Sequence, residues 1–149
     1  MEPNSPSRSL LFEVWMVANS TRSLLDETLL PSGLDADEFA LYSVLRQGAG
    51  ITPTELATLM SIPATTVSSI VARLERRRHA RRTPNPEDAR SYRIQLTPTG
   101  QRAHSGAAKL FLPVLAAIEA ALTLPVAEAR SALAAIDSAA RAVKEYQQR

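Results

Sequence analysis

The run from Thr52 to Leu96, TPTELATLMSIPATTVSSIVARLERRRHARRTPNPEDARSYRIQL, decides the fold. Thr52 can cap a helix, Pro53 suits a first helical position and Glu55 stands at the third, so a helix is predicted over 53–60. It presents Leu56, Ala57 and Leu59 or Met60 to a core. After a turn at Ser61-Ile62, Pro63 again suits a helix start. The next helix, predicted over 63–77, carries Val67, Ile70, Val71 and Leu74 on one face at helical spacing. Its opposite face holds Ala64, Thr65, Ser68, Ser69, Ala72 and Arg73, with further arginines beyond. A merely solvated helix would carry Glu and Lys there. Small side chains allow close approach to another surface, hydroxyls can bond phosphates or base edges, and arginine can grip guanine with two bonds. The pair therefore reads as a helix-turn-helix whose second member is a recognition helix.

Two short extended runs follow, Ala80-Arg81-Arg82 and Tyr92-Arg93-Ile94-Gln95-Leu96, around a loop rich in Pro, Asn and Asp. They predict a two-stranded wing. Asp88 is expected to hold the Arg90 guanidinium in a fixed direction, toward a minor groove or a phosphate. From Arg73 to Arg93 there are eight arginines and three acids, a local charge of +5 in a chain whose net charge is +2. Such a patch is an electrostatic footprint for a polyanion. A charge run alone fits a solvated helix end equally well.

Working outward, residues 1–6 (MEPNSP) are expected to be disordered. From Ser7 the pattern turns helical, with Leu10, Leu11, Val14, Val17, Ala18, Leu25 and Leu29 on one face, widened by Phe12, Trp15 and Met16. Pro31-Ser32-Gly33 ends it. Asp35 and Glu38 form a capping box for a helix over about 36–47, which carries Phe39, Tyr42, Val44 and Leu45 and stops at Gly48 and Gly50. Beyond the wing, Thr97 caps a helix begun by Pro98, with Ala103, Ala107, Leu110, Phe111, Val114, Ile118 and Ala121 along one stripe. Pro113 is expected to kink it. Pro125 starts a last helix whose stripe is Val126, Ala129, Leu133, Ile136, Ala140 and Val143. These alanine-rich helices are too apolar to stand alone, and burial against a second copy is the simplest remedy. A two-fold dimer would also set two recognition helices about 34 Å apart, one DNA turn.

Hydrophobic residues make up 45% of the 149, enough for a core, and only 5% are aromatic, so that core is aliphatic. No apolar run reaches bilayer length and no signal-peptide core is present, so a cytoplasmic protein without membrane contact is expected. The chain has no cysteine, which excludes disulfides, thiol redox sensing and Cys-ligated metals. Of the two histidines, His79 is expected to face solvent or phosphate and His104 to be structural or exposed. No His or carboxylate cluster has metal-ligand spacing, and there is no P-loop, Gly-rich dinucleotide turn or nucleophile motif. Neither an enzyme nor a cofactor or metal is expected.

The run SIPATTVSSIVARLERR, the wing motif Asp88-Ala89-Arg90-Ser91 and the entry Leu96-Thr97-Pro98-Thr99-Gly100 resemble the MarR family of winged helix-turn-helix transcriptional regulators. The resemblance runs along essentially the whole chain in order and spacing and is specific over about 52–100. It implies a mainly α (α+β) fold: a winged helix-turn-helix domain over 35–97, flanked by dimerisation helices over 7–34 and 98–149. It also implies a homodimeric regulator, in the repressor sense, on pseudo-palindromic double-stranded DNA, often modulated by a small ligand. By position, Thr65, Thr66, Ser68, Ser69 and Arg73 would lie on or near the groove and Arg90 would enter the minor groove. Arg76, Arg81 and Arg93 of the basic run join them as expected DNA contacts.

Three departures stand out. Pro63 replaces the usual Ser cap, Ser69 stands where a base-reading Arg is frequent, and Arg78-His79 replace Gly-Leu. Losing that Gly makes a left-handed cap costlier by roughly 1 kcal/mol. Trp15, Met16, Phe39 and Tyr42 could line a crevice for a small aromatic acid, against the alternative that they are ordinary core. The alternative function is a winged-helix module for protein–protein contact without specific DNA binding. Ser69 leaves room for it, whereas the eight arginines around the recognition-helix end argue against it.

Overall fold

The computed structural model describes residues 9–46, 48 and 50–147. The expected disorder of 1–6 lies outside that range. Helix α1 (Leu10–Leu29) starts where Ser9 Oγ accepts the Phe12 N–H, and a 3-10 turn, Leu30–Ser32, closes on Gly33 at φ 73°. Helix α2 (Ala36–Arg46) opens on the expected capping box: Asp35 Oδ1 accepts the Glu38 N–H at 2.7 Å and Glu38 Oε2 accepts the Asp35 N–H at 3.4 Å. Helix α3 (Pro53–Met60) has a second box, between Thr52 and Glu55. Helix α4 (Ala64–Arg76) follows, then an antiparallel pair, β1 (Ala80–Pro84) and β2 (Tyr92–Leu96), in register from Ala80 opposite Leu96 to Pro84 opposite Tyr92. Ile51 adds a single bridge to Ile94, tying the α2–α3 connection to the wing. Helices α5 (Pro98–Ala121) and α6 (Val126–Gln147) complete the chain.

Two compact units result, one ending at Phe111 and one beginning at Leu112, with α5 contributing to both. In the first, Leu41, Tyr42, Leu56, Val67, Val71, Leu74 and Ile94 are wholly buried in one cluster. The predicted inner face of α4 is therefore its core face, and Ile70 joins it. On α3 the side chain that packs beside Leu56 is Met60; Leu59 is exposed. The stripe of α1 behaves otherwise: of α1 only Leu29 is buried, while Leu10, Leu11, Trp15, Met16 and Val17 are exposed.

In the second unit Arg130 pairs with Glu119 at 3.3 Å and Arg141 with Asp137 at 2.8 Å. No described residue of α6 is buried, and Leu133, Val143 and Tyr146 are exposed. Helix α5 is assigned as one element through Pro113, so the expected kink does not interrupt it.

Candidate nucleic-acid interface

The inner face of α4 dictates its outer one. At about 100° per residue, burying Val67, Ile70, Val71 and Leu74 turns Thr65, Ser69, Ala72 and Arg76 outward. Thr65, Thr66, Ser68, Ser69 and Arg76 are all exposed. Ser68 Oγ donates to Ala64 O and Ser69 Oγ to Thr65 O, both at 3.0 Å. Each hydroxyl proton is thus used inside the helix, leaving the oxygen as an acceptor for an outside donor. Pro63 supplies no capping side chain, so the first-turn N–H groups of α4 lack a local side-chain partner.

The other end of α4 is built unusually. Arg78 takes the left-handed position, φ 57°, that glycine would fill at less cost. The turn holds because the Arg78 N–H donates to Glu75 O and the His79 N–H to Leu74 O, both at 2.9 Å. The carbonyls of this turn then seat α5: Thr97 Oγ1 donates to Arg78 O at 2.6 Å and the Thr97 N–H to His79 O at 2.9 Å. A Cβ at Gly100 would collide with the His79 carbonyl. The Leu-Thr-Pro-Thr-Gly entry therefore packs the start of α5 directly on the α4–β1 turn.

His79 departs from expectation. It is half-buried rather than open to solvent, and its Nδ1 lies 2.7 Å from Tyr42 Oη. Burial, and next the Arg77 charge, push its pKa below 6.5 against an opposing pull from Glu38. Burial, then Glu38, push the Tyr42 phenol up to about 12. The pair is a neutral hydrogen bond at neutral pH.

The eight arginines separate into two groups. Arg73, expected at the groove, turns inward: its Nε lies 2.8 Å from Glu38 Oε1, an ion pair off the hydrogen-bonding direction. Arg77 Nη1 meets the same carboxylate at 3.1 Å. Arg82 pairs with Glu75 at 3.0 Å and lies 4.5 Å over the Tyr92 ring. Arg93, also expected at DNA, is a structural fastener. It donates to Asn85 Oδ1 and Gly50 O at 3.1 Å and to Glu87 Oε2 at 2.8 Å. These bonds join both ends of the wing loop to the α2–α3 connection. Arg81 is exposed and reaches Gln95 Oε1 only at 3.4 Å. Arg76, Arg78 and Arg90 have no ion pair and no side-chain hydrogen bond with the described residues. Asp88 does not hold the Arg90 guanidinium. Its Oδ1 accepts the Arg90 backbone N–H at 2.9 Å, an Asx turn that shapes the loop and leaves the guanidinium free.

The four residues expected to line a ligand crevice are not brought together in the protomer. Trp15 and Met16 are exposed on α1, where Trp15 stacks on Phe12. Phe39 packs on His104 and Phe111, and Tyr42 is sealed against His79. A cavity of about 320 Å³ lies elsewhere, lined by Asp26, Leu30, Gly33, Leu34, Asp35, Glu38, Arg73 and Arg77.

His104 is buried, one of the two readings its position allowed. Its Nδ1 must accept from Arg46 Nη1 (3.1 Å), because a guanidinium only donates. Its Nε2 therefore carries the proton, donated to Ser43 Oγ at 2.9 Å, and that hydroxyl donates on to Phe39 O at 2.8 Å. Burial, then Arg46, hold its pKa below 6.5. Among the described residues no three His, Asp or Glu side chains are grouped to hold a metal. No single described helix is long and apolar enough to cross a membrane.

A turn-separated helix pair with an antiparallel two-stranded wing, followed by a helix whose start packs on the α4–β1 turn, defines a winged-helix protein. A family model described as MarR family matches residues 32–91. The multiple antibiotic resistance protein MarR of Salmonella typhimurium is 31% identical over 87 residues, 58% of this chain and 60% of that protein. Its Escherichia coli K12 counterpart is 32% identical over the same length. The chain thus spans about 60% of the length of the curated relatives it matches. Among solved structures, the Mycobacterium tuberculosis transcriptional regulator MosR in complex with DNA superposes with a TM-score of 0.80 at 26% identity, covering 91% of this chain and 98% of that one. A cysteine-to-serine mutant of E. coli MarR complexed with operator DNA gives 0.76 at 26% identity, covering 85% and 92%. Over residues 32–91 the chain is similar to the MarR family, and the DNA-bound structures it superposes on include a transcriptional regulator.

Proposed function

We propose that this chain is a sequence-specific DNA-binding regulator that represses transcription as a homodimer on a pseudo-palindromic operator. One observation carries the reading. The outward ridge of α4 is small and hydroxylic, ends in Arg76, and is followed by a wing whose tip bears Arg90, both arginines without an ion pair among the described residues. Arg81 supplements them on the exposed face of β1. Small and hydroxyl side chains suit contact with base edges and phosphates, and free guanidiniums suit phosphates or a narrow minor groove. The DNA-bound structures of MosR and MarR, on which this chain superposes, support DNA as the partner.

The dimer reading rests on unburied apolar surface. Helix α1 exposes Leu11 (70%) and Trp15 (59%), and α6 exposes Leu133 (58%). Exposed apolar side chains on each of these helices are the kind of surface that protein interfaces cover. A two-fold pairing would bury it and place two copies of α4 on one DNA face. A small effector would find room in the cavity beside Glu38.

The test is fluorescence anisotropy on the DNA upstream of the protein's own gene against scrambled duplex of equal length, across a salt series. A preference of about a thousandfold with strong salt dependence is expected of a specific regulator. Binding to neither duplex at low salt would instead favour a protein-contact module.

A further inference from the structure

Glu38 is the one buried carboxylate among the described residues, 2% exposed, and it sits on α2, outside the helix-turn-helix pair. The two cations on it, Arg73 in the last turn of α4 and Arg77 at its C-cap, are about one turn apart and each is 40% exposed. Their stems lie on the flank of the recognition helix; Arg73 is about 60° around from Arg76. A helix seated in a major groove has phosphate backbones along both flanks. Long side chains on that flank would reach phosphate unless something held them.

We propose that Glu38 is a positioning residue of the DNA interface: it occupies Arg73 and Arg77 as an internal anion, keeps them off the phosphates, and fixes the rotation of α4 about its axis. This rests on the DNA-binding reading above. The geometry supports both effects. Glu38 Oε1 receives both arginines, and Oε2 takes Arg77 and the Asp35 N–H, so the carboxylate is fixed at the start of α2 while it grips the end of α4. Phosphate contacts raise affinity for every sequence alike, so two arginines withheld are two non-specific contacts withheld. A fixed rotation keeps Thr65, Ser69 and Arg76, rather than the flank, toward base edges. Released arginines would strengthen binding to any duplex and loosen the register on the correct one.

Glu38→Gln retains the shape of the side chain and an acceptor for the cap. Measured by anisotropy, it is expected to bind scrambled duplex about five- to tenfold more tightly at ~0.1 M salt for each arginine released, with a salt slope steeper by about 1 to 2. Its preference for upstream over scrambled DNA should fall. Affinity and slope equal to wild type overturn the proposal. Arg77→Gln guards against a variant that fails to fold, since its side chain is half-exposed and its loss leaves Arg73 on the carboxylate. It is expected to keep the wild-type slope, and a slope shallower by about 1 would mean that Arg77 already touches phosphate, which overturns the proposal. Circular dichroism verifies folding of each variant. Wild-type protein that binds neither duplex overturns the DNA reading itself, an outcome distinct from wild-type-like binding by Glu38→Gln.

Discussion

Leu74 on α4 and Leu133 on α6 are the same residue in the same kind of helix, with opposite surroundings. Leu74 is fully buried in the winged unit and Leu133 is 58% exposed in the C-terminal one. The winged unit satisfies itself: its apolar faces meet in one cluster, and its buried polar groups, Glu38, Asn85 and His104, all have partners. The C-terminal unit leaves its apolar stripe in water. Stability in the first region is a property of one chain. Stability in the second, on the reading proposed here, depends on concentration, because association supplies the missing burial.

The largest expected effect tests the self-sufficient region. Leu74→Ala should cost about 3 kcal/mol of unfolding free energy, through lost transfer energy and a cavity. Denaturant titration should give the same cost at any protein concentration. The matching change, Leu133→Ala, should do almost nothing to the isolated chain, about 0.5 kcal/mol or less. It should instead weaken association tenfold or more, read by light scattering across a dilution series. An unchanged dimer mass at every concentration would erase the contrast between the two regions.

Next in size is Arg90→Ala. It should lower affinity for upstream DNA by roughly five- to tenfold at ~0.1 M salt and make the salt slope shallower by about 1. No change in either would show that the wing tip stays clear of DNA. The smallest effect is on pH. His104 is held below 6.5 in the folded chain, so the unfolded chain takes the proton first as pH falls. Its contribution to stability is full above about pH 6.5 and is lost below it. His79 adds in the same direction. His104→Gln should keep a donor toward Ser43 and give a shallower acid limb in a thermal-melt series from pH 8 to 5, by up to about 1.4 kcal/mol per pH unit. A limb as steep as wild type would remove His104 as its source.

The interface was partly legible in the residues. Thr65, Thr66, Ser68, Ser69 and Arg76 are exposed as expected because helical periodicity places them once the inner face is known. Arg73 and Arg93, expected at the groove, are engaged by Glu38 and by Asn85, Glu87 and Gly50 within the protomer, and Asp88 accepts the Arg90 backbone N–H rather than its guanidinium. In each case the charge was visible and its partner was not. Glu38 is 35 residues from Arg73, and Gly50 is 43 from Arg93. Read locally, Glu38 is only a capping acid, and its second role becomes visible when α2 packs on α4. The four residues expected at a crevice stand apart within the protomer for a related reason: Trp15, Met16, Phe39 and Tyr42 share apolar character, which places residues inside or at interfaces without saying which of them meet.

What the chain determined alone was everything governed by short-range chemistry: both capping boxes, the Pro63 start, the α4 core face, the two-stranded wing and the left-handed strain at Arg78. These depend on neighbours within a few residues. Tertiary structure alone decided which charges are spent on one another and which stay free. An ion pair depends on distance in space, and only packing brings Glu38 to Arg73, Asn85 to Arg93 and His79 to Tyr42.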